Sequence, residues 1–249
     1  MNPVRTRLAA AALGAGLVIA TPVAAWAGPR RPVSTNPTES AESSTDTTRR
    51  TIEDLRARCL AAIDSRLPAL AEAKTALAGN EHVTDDHQAA LEADLDESAA
   101  RLRQLAEAIK ADTDRTALAE HCRSIFEDNR VFALVLPRVR LVVGADTAAA
   151  ASGKLGDVAN QLADAIAQAE VAGQDVSQGK LDLDLMKSHI ASGVASAASV
   201  PGAVLGLTPA DWNADHDVLA PARQSLRSAR ADLKAARDLA HKIRRELQS

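Results

Sequence analysis

From residue 51 onward the apolar positions of this chain recur at intervals of three and four, the period of a helix with one buried stripe. Over residues 51–78 they are Ile52, Leu55, Cys59, Ile63, Leu67, Leu70 and Leu77, with Pro68 placed to kink the helix and Gly79-Asn80 to stop it. Thr84 predicts the N-cap of a second helix, with Asp85 and Asp86 where the helix dipole favours acid. Leu91, Leu95, Leu102, Leu105 and Ile109 continue its stripe to about Asp112. A third helix, capped by Asp112 or Thr113, carries Leu118, Cys122, Ile125, Phe132, Leu136, Val139 and Val143. Within it residues 131–136 are β-branched enough for a strand. A helix kinked at Pro137 is preferred over residues 131–143, because a lone hairpin would have no sheet to join.

The second half repeats the pattern. Residues 145–172 predict a helix with Leu155, Val158, Leu162, Ile166 and Ala169 inward and Gly173 at its end. Residues 177–198 predict another, with Leu183, Met186, Ile190 and Val194 on one face and the loop SVPGAVLGL after it. Thr208-Pro209 has the form of an N-cap followed by proline at the first helical position, opening the last helix. There Leu219, Ala222, Leu226, Ala229, Leu233, Ala236, Ala240, Ile243 and Leu247 alternate steps of three and four, a coiled-coil seam. The fold class expected is all-α, an elongated antiparallel bundle or coiled coil of about six helices.

The two cysteines test this arrangement. If the first three helices run up, down and up, Cys59 and Cys122 both lie roughly 12 to 14 Å from the same end, at 1.5 Å per residue. They can therefore pair as a disulfide, the default for two cysteines in an exported protein. A catalytic thiol would need a neighbouring base, and His121 points to another face of its helix.

Export is expected from the start of the chain. Arg5 and Arg7 precede an uncharged run over residues 8–20, then Pro22 and Ala25-Trp26-Ala27, which is the layout of a secretory signal cleaved after Ala27. The alternative is an uncleaved anchor, since residues 8–27 are just long enough to span a bilayer. Residues 28–48, GPRRPVSTNPTESAESSTDTT, read as a disordered Pro/Ser/Thr linker. The domain reading is thus 1–27 signal, 28–48 linker, 49–144 a three-helix, disulfide-clipped half, and 145–249 a helical half with the long C-terminal helix. No transmembrane segment is expected after signal cleavage.

Composition narrows the function. Phe126, Phe132, Trp26 and Trp212 are the whole aromatic complement, so alanine and leucine must fill the core. The same scarcity disfavours nucleic acid, which is gripped as a single strand by base stacking. Net charge is −4, or about −6 without Arg5 and Arg7. One stripe departs from that balance: Arg223, Arg227, Arg230, Lys234, Arg237, His241 and Arg244 follow the seam of the last helix. It can be a solvated flank paired with the acidic second helix, where Glu81, Asp85, Asp86, Glu92, Asp94, Asp96 and Glu97 precede any base. That is the preferred reading; the functional alternative is a contact surface for anionic wall polymer, acidic lipid or an acidic partner.

Candidate chemistry is sparse. Asp211 and Asp215 form an i,i+4 pair with His216 adjacent, a weak metal candidate, although acid in a first turn is also what the dipole prefers and Trp212 can anchor the helix start. His82, Asp85, Asp86 and His87 are weaker, lying in a turn and a helix start. No phosphate loop, nucleophile elbow or zinc-protease motif occurs. No catalytic residue and no cofactor is therefore expected.

RCLAAID, the DTD before His121-Cys122, RVFALVLPRVRLVVGAD and LTPADWNADHDVLAPAR together resemble a group of exported, alanine-rich helical proteins common in high-GC Gram-positive bacteria. The resemblance covers most of the mature chain and implies compartment and fold, with no activity, cofactor or site attached. Where such proteins commonly carry tyrosine, Asn129 and Phe132 stand here. The expected function is a non-catalytic secreted or cell-wall-associated protein, a spacer or binding scaffold for a wall polymer or an envelope protein. Its alternatives are an amphipathic lipid- or anionic-wall-polymer-binding protein and an enzyme of unknown reaction.

Overall fold

A computed structural model describes the backbone of residues 42–248 and side chains from Thr51 onward. The signal segment and residues 28–41 of the linker lie outside the described residues. The chain forms α1 (Glu42–Ala78), α2 (Asp85–Ala111), α3 (Arg115–Glu127), a π-helical turn (Val131–Val135), α4 (Leu136–Val171), α5 (Ser177–Val204), α6 (Pro209–Ala214) and α7 (Ala220–Glu246). Six of these are long helices packed as a bundle, and no strand occurs among the described residues. Residues 131–143 are helical throughout, so the strand alternative is excluded.

The first half is a three-helix unit. α1 begins at Glu42, seven residues inside the expected linker, because adding a residue to an existing helix fixes little and gains a backbone bond. Thr84 caps α2 as its sequence predicts, accepting the His87 N–H at 3.3 Å. α3 is capped by Asp114, not by Asp112 or Thr113: its carboxylate accepts the Ala117 N–H at 2.9 Å. Asp112 instead ends α2, where Arg56 of α1 donates to the Ile109 and Asp112 carbonyls and His121 Nδ1 meets the Asp112 carboxylate at 2.9 Å. These bonds hold the α2–α3 turn against α1. Cys59 and Cys122 then face each other with their Cα atoms 5.5 Å apart and form the disulfide.

The expected third helix is not one kinked rod. α3 ends at Glu127, Arg130 takes a left-handed φ of 37°, and the chain restarts as the π turn and α4. Pro137 stands just after the π turn, and α4 runs through Gly144, so no boundary falls between residues 144 and 145. The left-handed arginine is held by tertiary contacts. Asn129 is buried and donates to the Ser124 carbonyl at 3.0 Å, while Arg130 Nε donates to Asn213 Oδ1 at 2.7 Å. Asn213, on α6, also donates to the Glu127 carbonyl at the end of α3.

α4, α5 and α7 make the second half. Gly193 and Asp182 of α5 lie beside Leu233 and Lys242 of α7, so these two helices are antiparallel; Gly144 of α4 meets Leu226 and Ile166 lies in one core with Ile243, so α4 and α7 run parallel. α5 does not stop at Ala198 but continues to Val204 through Pro201. Burial of Val200, Pro201 and Val204 offsets the bond that proline cannot donate. Val194, expected inward, is exposed; Gly193 faces α7 in its place. A Cβ on Gly193 would lie 3.2 Å from Leu233 Cδ2, so the absent side chain sets how closely α5 approaches.

Thr208 does begin a helix, with a full capping box to Asp211, but α6 lasts only six residues. α7 starts afresh at Ala220, with Pro221 in its first turn, where the missing N–H has no intrahelical partner to lose. From there the seam is as read: Ala222, Leu226, Ala229, Leu233, Ala236, Ala240 and Ile243 are all buried.

Candidate surfaces on the bundle

α7 presents three faces. Its seam is covered by α4 and α5. Toward α5 the polar groups are matched: Asp232 meets His189 Nδ1 at 2.9 Å, and Lys242 meets Asp182 at 2.6 Å. That hydrogen bond to Asp182 raises the Lys242 pKa above the ordinary lysine value. The remaining flank carries the cations. Arg227 bonds to Gln224 at 2.6 Å and Lys234 to Asp238 at 2.6 Å, both within α7. Among the described residues Arg223, Arg230, Arg237 and Arg244 have no carboxylate at ion-pair distance. Arg230 lies over Gly144 of α4, its Nη2 3.1 Å from where a Cβ would stand.

The acidic second helix is not the partner of this flank. α2 packs against α1 and α3, and four of its carboxylates are engaged elsewhere: Asp96 with Lys74, Glu97 with Arg101, Glu107 with Lys110, and Asp94 with the buried Arg138 at 3.5 Å. No ion pair joins α2 to α7 among the described residues. The pairing reading assumed adjacency that the sequence cannot supply, since charge complementarity between two helices says nothing of their order in a bundle.

Asp211, Asp215 and His216 are placed by local structure. Asp211 accepts from the Thr208 hydroxyl and backbone N–H, both at 2.7 Å, and those bonds lower its pKa below the ordinary aspartate value. Asp215 ends α6 and accepts the Asp217 N–H, while the His216 ring rests 5.7 Å from that of Trp212. Among the described residues no group of three His, Cys, Asp or Glu side chains gathers as a metal site. His82 stands in the turn before α2, and His87 is bound to the buried Asp146 of α4 at 2.9 Å, which also accepts the Thr84 N–H.

A second surface was not legible in the sequence. Between α1 and α3 a groove of about 390 Å³ opens to solvent, floored by the Cys59–Cys122 disulfide. Leu55, Ala119 and Phe126 give it apolar lining, and Arg58 and Arg123 are its charged residues. Both phenylalanines of the chain are near half exposed, Phe126 at 47% and Phe132 at 51%. The Arg66 guanidinium lies over both rings, 4.7 and 5.2 Å from their centroids. The only advance signal was the pair RC at 58–59 and CR at 122–123, which sets an arginine beside each cysteine.

The fold and its one cross-link define the class: an all-helical, disulfide-clipped bundle. No protein-family model, no curated protein and no solved structure matches this chain. Among the described residues no helix is long and apolar enough to cross a membrane.

Proposed function

We propose that this protein is an exported, non-catalytic scaffold that holds a linear anionic polymer of the cell envelope along the cationic flank of α7. The asymmetry of that helix carries the reading. Where α7 meets α5 its charges are matched, as charges serving the fold are; on the opposite flank Arg223, Arg230, Arg237 and Arg244 have no carboxylate at ion-pair distance among the described residues, in a chain of net charge −4. From Arg223 to Arg244 the row extends about 32 Å at the helical rise. A row of that length suits a polyanion better than a single anion, and its field concentrates such a ligand. The scarcity of aromatic side chains supports a phosphodiester or carboxylate polymer over single-stranded nucleic acid. The disulfide suits the oxidising side of a membrane, in keeping with the signal-like first 27 residues.

Immobilised poly(glycerol phosphate) tests this directly. Arg223→Glu, Arg227→Glu and Arg230→Glu combined should lower capture about tenfold or more, and added salt should weaken capture by the unaltered protein. The same reversal at the exposed Arg103, Arg115 and Lys187, away from α7, should leave capture nearly unchanged. Equal loss in both triple variants, or loss in neither, would remove the flank as the binding surface.

A further inference from the structure

We infer that the groove beside the disulfide is a binding site for a small amphiphilic carboxylate, one with an aliphatic or aromatic body and a single anionic head. The site is separate from the α7 flank and does not depend on its assignment. Three observations converge on it. Apart from two arginines the lining is apolar: Leu55, Ala119, the disulfide and the ring of Phe126. A soluble protein rarely leaves large aromatic surface in contact with water beside a concave apolar trough unless something covers it. This chain has only two phenylalanines: Phe126 lines the groove, and Phe132, also near half exposed, lies under the same Arg66 guanidinium.

The two arginines decide the charge of the occupant. Arg58 and Arg123 both line the groove, and no carboxylate does. Arg58 makes one bond, from Nε to the Asp54 carbonyl at 3.3 Å, and neither guanidinium has an acid partner among the described residues. Two guanidinium groups in an apolar trough fit a carboxylate, which each can grip through paired N–H donors. A cationic amphiphile would meet repulsion, and a neutral one would leave the arginines unused. Arg66 is held from behind by its Nη1 bond to the Ala62 carbonyl at 2.7 Å. Its stacking on Phe126 and Phe132 fixes the ring that lines the groove. The polarisable sulfurs of the floor pack well against hydrocarbon.

Fluorine NMR on protein labelled with fluorophenylalanine reads this site, because only Phe126 and Phe132 report, and Phe126→Leu assigns them. Decanoate, titrated well below its micelle range, should shift the Phe126 resonance saturably. Decanol and decyltrimethylammonium should need about tenfold higher concentration or fail to saturate. Arg58→Gln with Arg123→Gln should weaken decanoate about tenfold or more, whereas Arg237→Gln with Arg244→Gln should not. The replaced groove arginines are exposed, and an unchanged circular dichroism spectrum confirms that the fold survives. A Phe126 resonance that decanoate leaves in place overturns the site, and so does one that decanol shifts equally well. The comparison of the three probes on unaltered protein decides the matter even if the double variant does not fold.

Discussion

Arg138 lies in the apolar run LPRVRLVV, yet it is 5% exposed, more enclosed than Arg140 two residues on. Its guanidinium donates to the Leu205 carbonyl at 3.2 Å and faces Asp94 of α2 at 3.5 Å. Burial lowers the pKa of Arg138 and raises that of Asp94, and for each it outweighs the attraction of the other. The pair is therefore a cost that each partner limits for the other. Asp94→Leu alone should destabilise by about 3 kcal/mol, because the stranded guanidinium cannot shed its proton. Adding Arg138→Met should recover most of that loss, as measured by chemical denaturation; a further loss on the second substitution would show the pair to be net stabilising. The sign of the pH effect follows from the raised carboxyl. The folded state holds the Asp94 proton more tightly than the unfolded chain, so its contribution is fully favourable below about 3.8 and is lost as pH rises through the raised value. Nothing in the local pattern distinguishes Arg138 from a solvated arginine, since periodicity reports which face a residue occupies and not what neighbour stands opposite.

At the scale of elements, the caps of α2 and α6 were readable, while the cap of α3 and the breaks were not. Thr84 and Thr208 act on their own next three residues, and both cap as expected. The end of α3 depends instead on Asn213, 86 residues away from the carbonyl it satisfies. No glycine or proline marks residues 128–130, and a left-handed arginine, which costs roughly 1 to 2 kcal/mol, persists because α6 holds it. Glycines divide in the same way. Gly153 is mid-helix with open space around it, and Gly153→Ala should stabilise by about 1 kcal/mol through helix propensity. Gly193 is equally mid-helix, but Leu233 occupies the space, and Gly193→Leu should destabilise by about 1 to 3 kcal/mol through overpacking. Paired thermal melts of the two variants check the contrast, and shifts of the same sign would mean that α5 and α7 are not in close contact at that level.

At the scale of the molecule, the disulfide and the cores divide the work. One buried cluster joins α1 to α4 with the end of α5 and the start of α7, and another binds the far ends of α4, α5 and α7. The cross-link between Cys59 and Cys122, 63 residues apart, removes freedom from the unfolded chain worth about 4 kcal/mol on the loop-entropy model. Reduction should therefore loosen α1 to α3 first. Hydrogen exchange by mass spectrometry should show their amides losing protection while those of α5 and α7 keep it; uniform loss would mean that the halves unfold as one. The sequence by itself determined the helical class, most of the buried faces (Phe132 and Val194, read as inward, are exposed), the α7 seam and the meeting of the two cysteines, because each follows from local period and a fixed rise per residue. Only the tertiary structure decided where the third rod breaks, which helix lies beside the cations of α7, and that an apolar groove flanked by arginines opens at the disulfide. Those depend on which surfaces meet, and contact between residues far apart in the chain leaves no trace in the spacing of either one.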